Sequence, residues 1–385
     1  MPNLLKVALP VFLLAGCAPS SPWPNQGGDM QGRWEGISQT SSTAALVWSS
    51  PANQFGTNRV NSCPTIDRAN QMVVPLADGR IVSINPTNHM ATALGSVTDV
   101  VHAAVDVLDD SPIVTVSGTS GGASFKLVSM GVTAWSSPIG ALALPSAPVS
   151  NGDRVFVSAE KSVFAFDRKT GSLIKQTNVG DDLVNTAGPA ITPEADLNVV
   201  VATLNGHVIK LDPIGGVIKW DRVIAGAQFN NNVSIALNGT IFVRSFDGRL
   251  FVLDSSGNVS PNVFDSGTAN RIGTSRLFGP AVATLGASAV AYVADGNGKL
   301  TAVSDNGTVL WQYGLPDIPR NDIIAAGDTA YVVVGAAPNT KVLAVNQSGI
   351  RWSVNVPNQT CLAAGRDGLI YGVSGDTVLL TIKVG

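Results

Sequence analysis

One phrase recurs through this chain: an apolar strand, a small turn, then glycine. It reads "IVSINPTN" from Ile81, "SFKLVSMG" from Ser124, "VFAFDRKTG" from Val163 and "VIKLDPIGG" from Val208. It returns as "LFVLDSSG" from Leu250, "LTAVSDNG" from Leu300, "VLAVNQSG" from Val342 and "VLLTIKVG" from Val378. The eight copies lie 36 to 50 residues apart, with a mean near 42. At such a period each copy is one supersecondary unit, able to bury its apolar faces only against its neighbours.

Turn chemistry divides each unit into four short strands. Asp78-Gly79, Asn205-Gly206, Asp247-Gly248 and Asn297-Gly298 precede the phrase and read as two-residue type I′ hairpins. Before them lies another apolar strand, such as "VFV" at Val155 or "IFV" at Ile241, introduced by Asn151-Gly152 or Asn238-Gly239. After the phrase comes a strand that carries Trp135, Trp220, Trp311 or Trp352. Four strands at this period make a propeller blade. The chain ends distinguish a ring from an open stack. The eighth phrase stops at the C-terminus without its Trp strand, while an unattached one, "ALVWSSPA" around Trp48, precedes the first full unit. Together they complete an eighth blade and remove the exposed strand edges of an open stack. The expected fold is all-β, an eight-bladed propeller over residues 46–385 closed by an N-terminal strand.

The first 16 residues carry one charge, Lys6, and an apolar run from Val7 to Leu14, too short to span a bilayer and suited to a signal peptide. Leu14-Ala15-Gly16-Cys17 resembles the bacterial lipobox, which implies acylation of Cys17 and cleavage before it; the alternative is a conventional cut near Ala15. Residues 17–45 begin "CAPSSPWPNQGG" and read as a flexible tether. Ala18 is not the Asp that retains such lipoproteins at the inner membrane, so the resemblance implies the periplasmic face of the outer membrane. Net charge is −3, from 24 basic and 27 acidic residues without long charge runs, which argues against nucleic acid as a partner. Glutamate is confined to Glu35, Glu160 and Glu194, whereas glycine numbers 40, a balance that suits strands and turns.

Besides Cys17, the cysteines are Cys63 and Cys361, at equivalent places in the first and last units. Those units are neighbours if the ring closes, and the compartment is oxidising. A Cys63–Cys361 disulfide is therefore expected; the alternative is two buried free thiols.

The unit "A-x-D-x-x-T-G-x-x-x-W" resembles the PQQ-like repeat. Ala165, Asp167, Thr170 and Gly171 carry it, as do Asp212, Gly216 and Trp220, and Ala302, Gly307 and Trp311. The resemblance implies tryptophans packed between blades. Such repeats build both quinoprotein dehydrogenases and non-catalytic scaffolds. The dehydrogenases hold quinone and Ca²⁺ on the axis beside a vicinal disulfide; this chain has no adjacent cysteines, and most of its Asp residues sit where they cap turns. His89, His102 and His207 show no metal-ligand spacing and read as surface histidines, His207 in an exposed turn. Neither a G-x-S-x-G elbow nor a P-loop is present.

Lipobox, tether, eight PQQ-like blades and overall length together resemble the BamB lipoproteins, accessory subunits of the outer-membrane β-barrel assembly machine. Their blade loops dock on the machine's periplasmic domains, partly through an Arg-containing D-x-D segment. Here the longest interblade segment, "SGTANRIGTSRLFGPAV", supplies Arg271 and Arg276 without an acidic pair. The resemblance implies a scaffold without enzymatic activity or cofactor, lipid-anchored and monomeric within a complex. Its partner would be another periplasmic or outer-membrane protein, with Arg271 and Arg276 as candidate contacts. The alternative is a divergent quinoprotein or small-ligand binder. Replacing Cys17 by Ala is expected to release the protein from membranes; fractionation checks this, and unchanged membrane association of the variant contradicts it.

Overall fold

The computed structural model describes residues 43–384, except 51–62, 68, 99, 102–104, 108–111, 118–124, 131–133, 140–144, 184–187, 195, 230, 268–278, 321–322, 337–338, 357–358, 366–368 and 375–377. Its strands form eight four-stranded antiparallel sheets, the blades of an eight-bladed propeller, and the described residues contain no helix. Blade four shows the plan. Its strands A to D, from axis to rim, are Ala190–Ile191, Val199–Ala202, His207–Asp212 and Val217–Val223. Strands B and C are buried on both faces because the adjacent blades cover them. They read as unbroken apolar runs for that reason, without the alternation of a one-sided sheet. Strand D is mostly exposed.

The turns before the phrase differ from the type I′ expectation. Gly79 N donates to Leu76 O at 3.0 Å and Leu76 N to Arg80 O at 2.8 Å, enclosing three residues. Gly79, Gly206, Gly248 and Gly298 have positive φ, whereas the Asp or Asn before each does not. These are type I turns ending in a glycine bulge. The Asp78 carboxylate accepts the Arg80 N–H at 3.1 Å, a local contact that favours this form.

Adjacent blades are joined through strand D. In blades three, four, six, seven and eight the C–D register skips one residue at the same place: Ile174, Lys219, Leu310, Arg351 and Val47. Such a bulge re-aims the side chain that follows it. That residue is Lys175, Trp220, Trp311, Trp352 or Trp48. Trp220 Nε1 donates to the Ser255 carbonyl of blade five at 3.1 Å. Its ring lies under Gly257, where an added Cβ would come within 2.8 Å. In blade two, Trp135 Nε1 donates to Arg168 O of blade three at 2.8 Å. Lys175 fills the equivalent space under Gly216. Trp48 stacks on His89 of blade one, the ring centroids 4.4 Å apart and the planes 2° from parallel. His89 has φ of 59°, where the other turns use glycine, a strain of about 1 kcal/mol that the stacking offsets. Trp311 and Trp352 lean on tyrosines of their own blades, Tyr292 and Tyr331.

Two ion pairs, each with a buried cation, reinforce these junctions. Arg168 of blade three lies 3.6 Å from Asp106 of blade two, with Ser150 hydrogen-bonded to both. Lys210 of blade four holds Glu194 at 2.6 Å and the Ser255 carbonyl of blade five at 3.3 Å.

Blade eight closes the ring. Its order is the N-terminal strand Ala44–Ser49, then Val378–Val384, Leu369–Ser374 and Gln359–Ala364. Ser50 N donates to Leu379 O at 2.8 Å, and Leu379 N to Ser50 Oγ at 2.9 Å. Near the axis, Cys63 and Cys361 form a disulfide with Cα atoms 5.4 Å apart. Between these two clasps, Tyr371 Oη donates to Asn70 O of blade one at 3.1 Å. Reduction, or Cys361→Ala, is expected to lower stability by at most ~4–5 kcal/mol, the limit for a bond closing a very long loop. Because the outer strand still pairs, the β-sheet circular dichroism should persist; urea midpoints with and without reductant check this.

Candidate docking face

The disc has two unlike faces. A–B and C–D turns occupy one, here the turn face. B–C turns and the linkers between blades occupy the other, the linker face. The linkers from blade three to four, four to five and six to seven are hydrogen-bonded to B–C turns by backbone: Leu204 N to Asp182 O at 2.9 Å, Ile224 N to Gly206 O at 2.9 Å, Phe246 N to Gln228 O at 2.6 Å, Leu315 N to Gly298 O at 2.6 Å. Satisfied backbone holds these loops against the disc while leaving their side chains outward.

Between blades four and five the linker face opens into a groove of about 300 Å³, lined by Asn205, Gly226, Ala227, Gln228, Phe246 and Asp247. Gly206 permits the close approach of its linker: an added Cβ would stand 2.6 Å from Ala227 O. Leu204, in the same turn as Asn205, and Val223, the last residue of strand D before the linker, are exposed. Arg249 fixes one wall. Its Nε donates to Asp247 Oδ2 at 2.8 Å, its Nη2 to Gly226 O at 2.7 Å, and its guanidinium lies 5.1 Å from the Phe251 ring centre. Burial alone would raise the Asp247 carboxyl, but hydrogen bonds from Arg249 and Ser245 and the Arg249 charge outweigh it and hold it below the usual carboxylate range. On the blade-three side, Asp181 accepts from Asn205 Nδ2 at 2.5 Å. Its carboxyl is likewise lowered: burial opposes, and hydrogen bonds from Thr203, Asp182 and Asn205 prevail.

Two residues before Phe246, Arg244 is wholly buried. It reaches from blade five to Ala294 O of blade six at 2.9 Å and to Ser266 Oγ, at the start of the long linker, at 3.5 Å. Burial lowers its pKa to about 10, with Asp295 opposing, so it stays charged at neutral pH. Aliphatic side chains, a ring edge and fixed charges on a rigid frame suit recognition of a protein segment. Among the described residues, no three His, Cys, Asp or Glu side chains are placed to hold a metal ion.

Cys17, Arg271, Arg276 and His102 lie outside the described residues. His207 opens strand C of blade four, half-buried, with Nδ1 2.9 Å from Asp221; it is not the exposed turn residue its glycine neighbour suggested. Sequence reasoning passed over Phe246, Arg249 and Arg244, although "IFVRSFDGR" places a charge inside a buried run, a visible anomaly.

Geometry and repeat together define a PQQ-like repeat β-propeller. A family model described as outer membrane protein assembly factor BamB matches residues 35–177 and 180–383, and the chain belongs to that family. No curated protein matches it by sequence. BamB from Moraxella catarrhalis superposes with a TM-score of 0.65 at 17% identity, over 89% of this chain and 100% of that one. Quinohemoprotein alcohol dehydrogenase from Comamonas testosteroni gives 0.66 at 12% identity, over 96% and 82%. Saccharomyces cerevisiae Sqt1 gives 0.62 at 12%, over 90% and 100%. At these identities the superpositions show a common fold and nothing more.

The lowered Asp247 carboxyl carries a pH prediction. Its contribution is full above the ordinary carboxylate pKa of about 3.9 and is lost as pH falls through the lower folded value. Asp247→Asn is expected to cost up to ~1 kcal/mol at neutral pH, as for a partly exposed pair, and progressively less as pH falls through the lowered folded value. Urea midpoints of both proteins across that range check it.

Proposed function

We propose that this protein is a non-catalytic scaffold on the periplasmic face of the outer membrane, held there by lipid on Cys17. It would bind a protein partner through its linker face as an accessory of outer-membrane β-barrel assembly. Membership of the BamB family carries this reading. The groove between blades four and five supports it. So does the long linker with Arg271 and Arg276, which begins at Ser266, beside Arg244. Arginine and aromatic side chains at a rigid site are the usual anchors of protein interfaces.

The test is deletion of the gene, followed by measurement of outer-membrane barrel levels and partner capture by crosslinking. A Leu204→Asp, Val223→Asp variant places charge at exposed positions of the turn and strand end that lead into the groove, without touching the core. It is expected to fold normally but to lose crosslinking, and to restore barrel levels at least tenfold less effectively than the wild type. Unchanged barrel levels on deletion, with no crosslinked partner, contradict the assembly role. Full rescue by the variant moves the contact off this groove.

A further inference from the structure

The tether joins the disc at one point. Strand D of every blade runs from the turn face to the linker face, and Ala44–Ser49 is strand D of blade eight. Chain arriving from Cys17 therefore meets the disc at the rim of the turn face.

That point is ringed by exposed apolar side chains from three consecutive blades. Leu46 and the bulged Val47 lie on the joining strand, 38% and 49% exposed. Met90, 66% exposed, follows His89, which Trp48 stacks upon. Ile350, 38% exposed, comes from the outer strand of blade seven, against which the joining strand packs. Neither Ala44–Ser49 nor Ala91–Ser96, the outer strand of blade one, carries a formal charge. Blade four differs, with Lys219, Asp221 and Arg222 in its outer strand. Arg351, beside Ile350, is turned to Thr329 at 3.1 Å and Asp328 at 3.6 Å.

We propose that this apolar rim of blades seven, eight and one, around Val47 and Met90, rests in the headgroup region of the leaflet that holds the lipid anchor. The inference rests on the lipid-anchor reading of Cys17. A tether confines its attachment point to the membrane surface at high local concentration, so a patch too weak to bind unaided stays engaged. The absence of acidic groups from these two strands matters because an anionic leaflet repels carboxylates. The disc is thereby tilted, with its linker face directed away from the bilayer.

The test uses the full lipidated protein in phosphatidylethanolamine–phosphatidylglycerol vesicles. An environment-sensitive dye is attached to a single added thiol, Val47→Cys or Met90→Cys, the native Cys63 and Cys361 being paired. Leu237→Cys and Ile318→Cys are controls at exposed sites in blade five and in the linker after blade six. Dyes at 47 and 90 are expected to shift to the blue and to be quenched by nitroxide lipids, while both controls stay unquenched. Vesicle-bound protein with all four dyes equally unquenched overturns the inference but spares the anchor. Protein that does not float with vesicles overturns the anchor reading and the inference with it.

Discussion

Every blade depends on a ring held shut by pairing between the two ends of the chain. The register runs from Ala44 opposite Val384 to Ser49 opposite Leu380, with one residue, Val47, bulged out. Without it, strand Val378–Val384 would expose an unpaired edge, and blades one and eight would each lose a neighbour. Repeat proteins gain stability from interfaces between units, and closure adds one interface without adding a unit. The pairing at the rim, the Tyr371 hydrogen bond and the disulfide near the axis act at three radii of one seam. Opening the seam means breaking all three.

The junctions from blade three to four and from four to five share one device. A bulge in strand D turns the following side chain toward the next blade, where a glycine in the C–D turn leaves room for it. Trp220 under Gly257 and Lys175 under Gly216 show that the space, more than the residue, is common to the copies. A lysine stem can cover apolar surface almost as an aromatic ring does, keeping its ammonium in water. At the seam the order is reversed: His89 replaces the glycine, and its ring supplies the surface that Trp48 covers.

The repeat made the architecture legible because period, turn residues and the orphan Trp strand all report local, repeated physics. Ring closure and the Cys63–Cys361 pair followed from counting units. Hairpin geometry was less legible, because Asp-Gly is compatible with both a type I′ turn and a type I turn with a glycine bulge. Only the φ of Asp78 separates them. The candidate site was hardest. Asn205, Gln228 and Phe246 stand in two blades and the linker between them, and no spacing in the chain signals that one linker and two turns form one groove. Arg244 is the exception: a charge within "IFVRS" breaks the apolar run, as a structural or functional demand would.

The two faces hold their loops in different ways. On the turn face, Asp167, Asp212 and Asp254 direct their carboxylates to N–H groups of their own turns. Their acidity serves the backbone, and neighbouring blades pack tryptophan against the same turns. Substitution there disturbs a junction. On the linker face, backbone amide-to-carbonyl bonds carry much of the contact between loops, with side-chain bonds from Arg249 and between Asp181 and Asn205 added to them. Residues such as Leu204, Val223 and Gln228 are therefore free to vary at little cost to the ring. Linkers also tolerate changes in length, because the entropic cost of a longer loop grows slowly. The interval of 50 residues between the fifth and sixth phrases shows such an extension in this chain. A repeat fold whose blades cannot change independently thus keeps one surface on which recognition can diverge, and the groove lies on that surface.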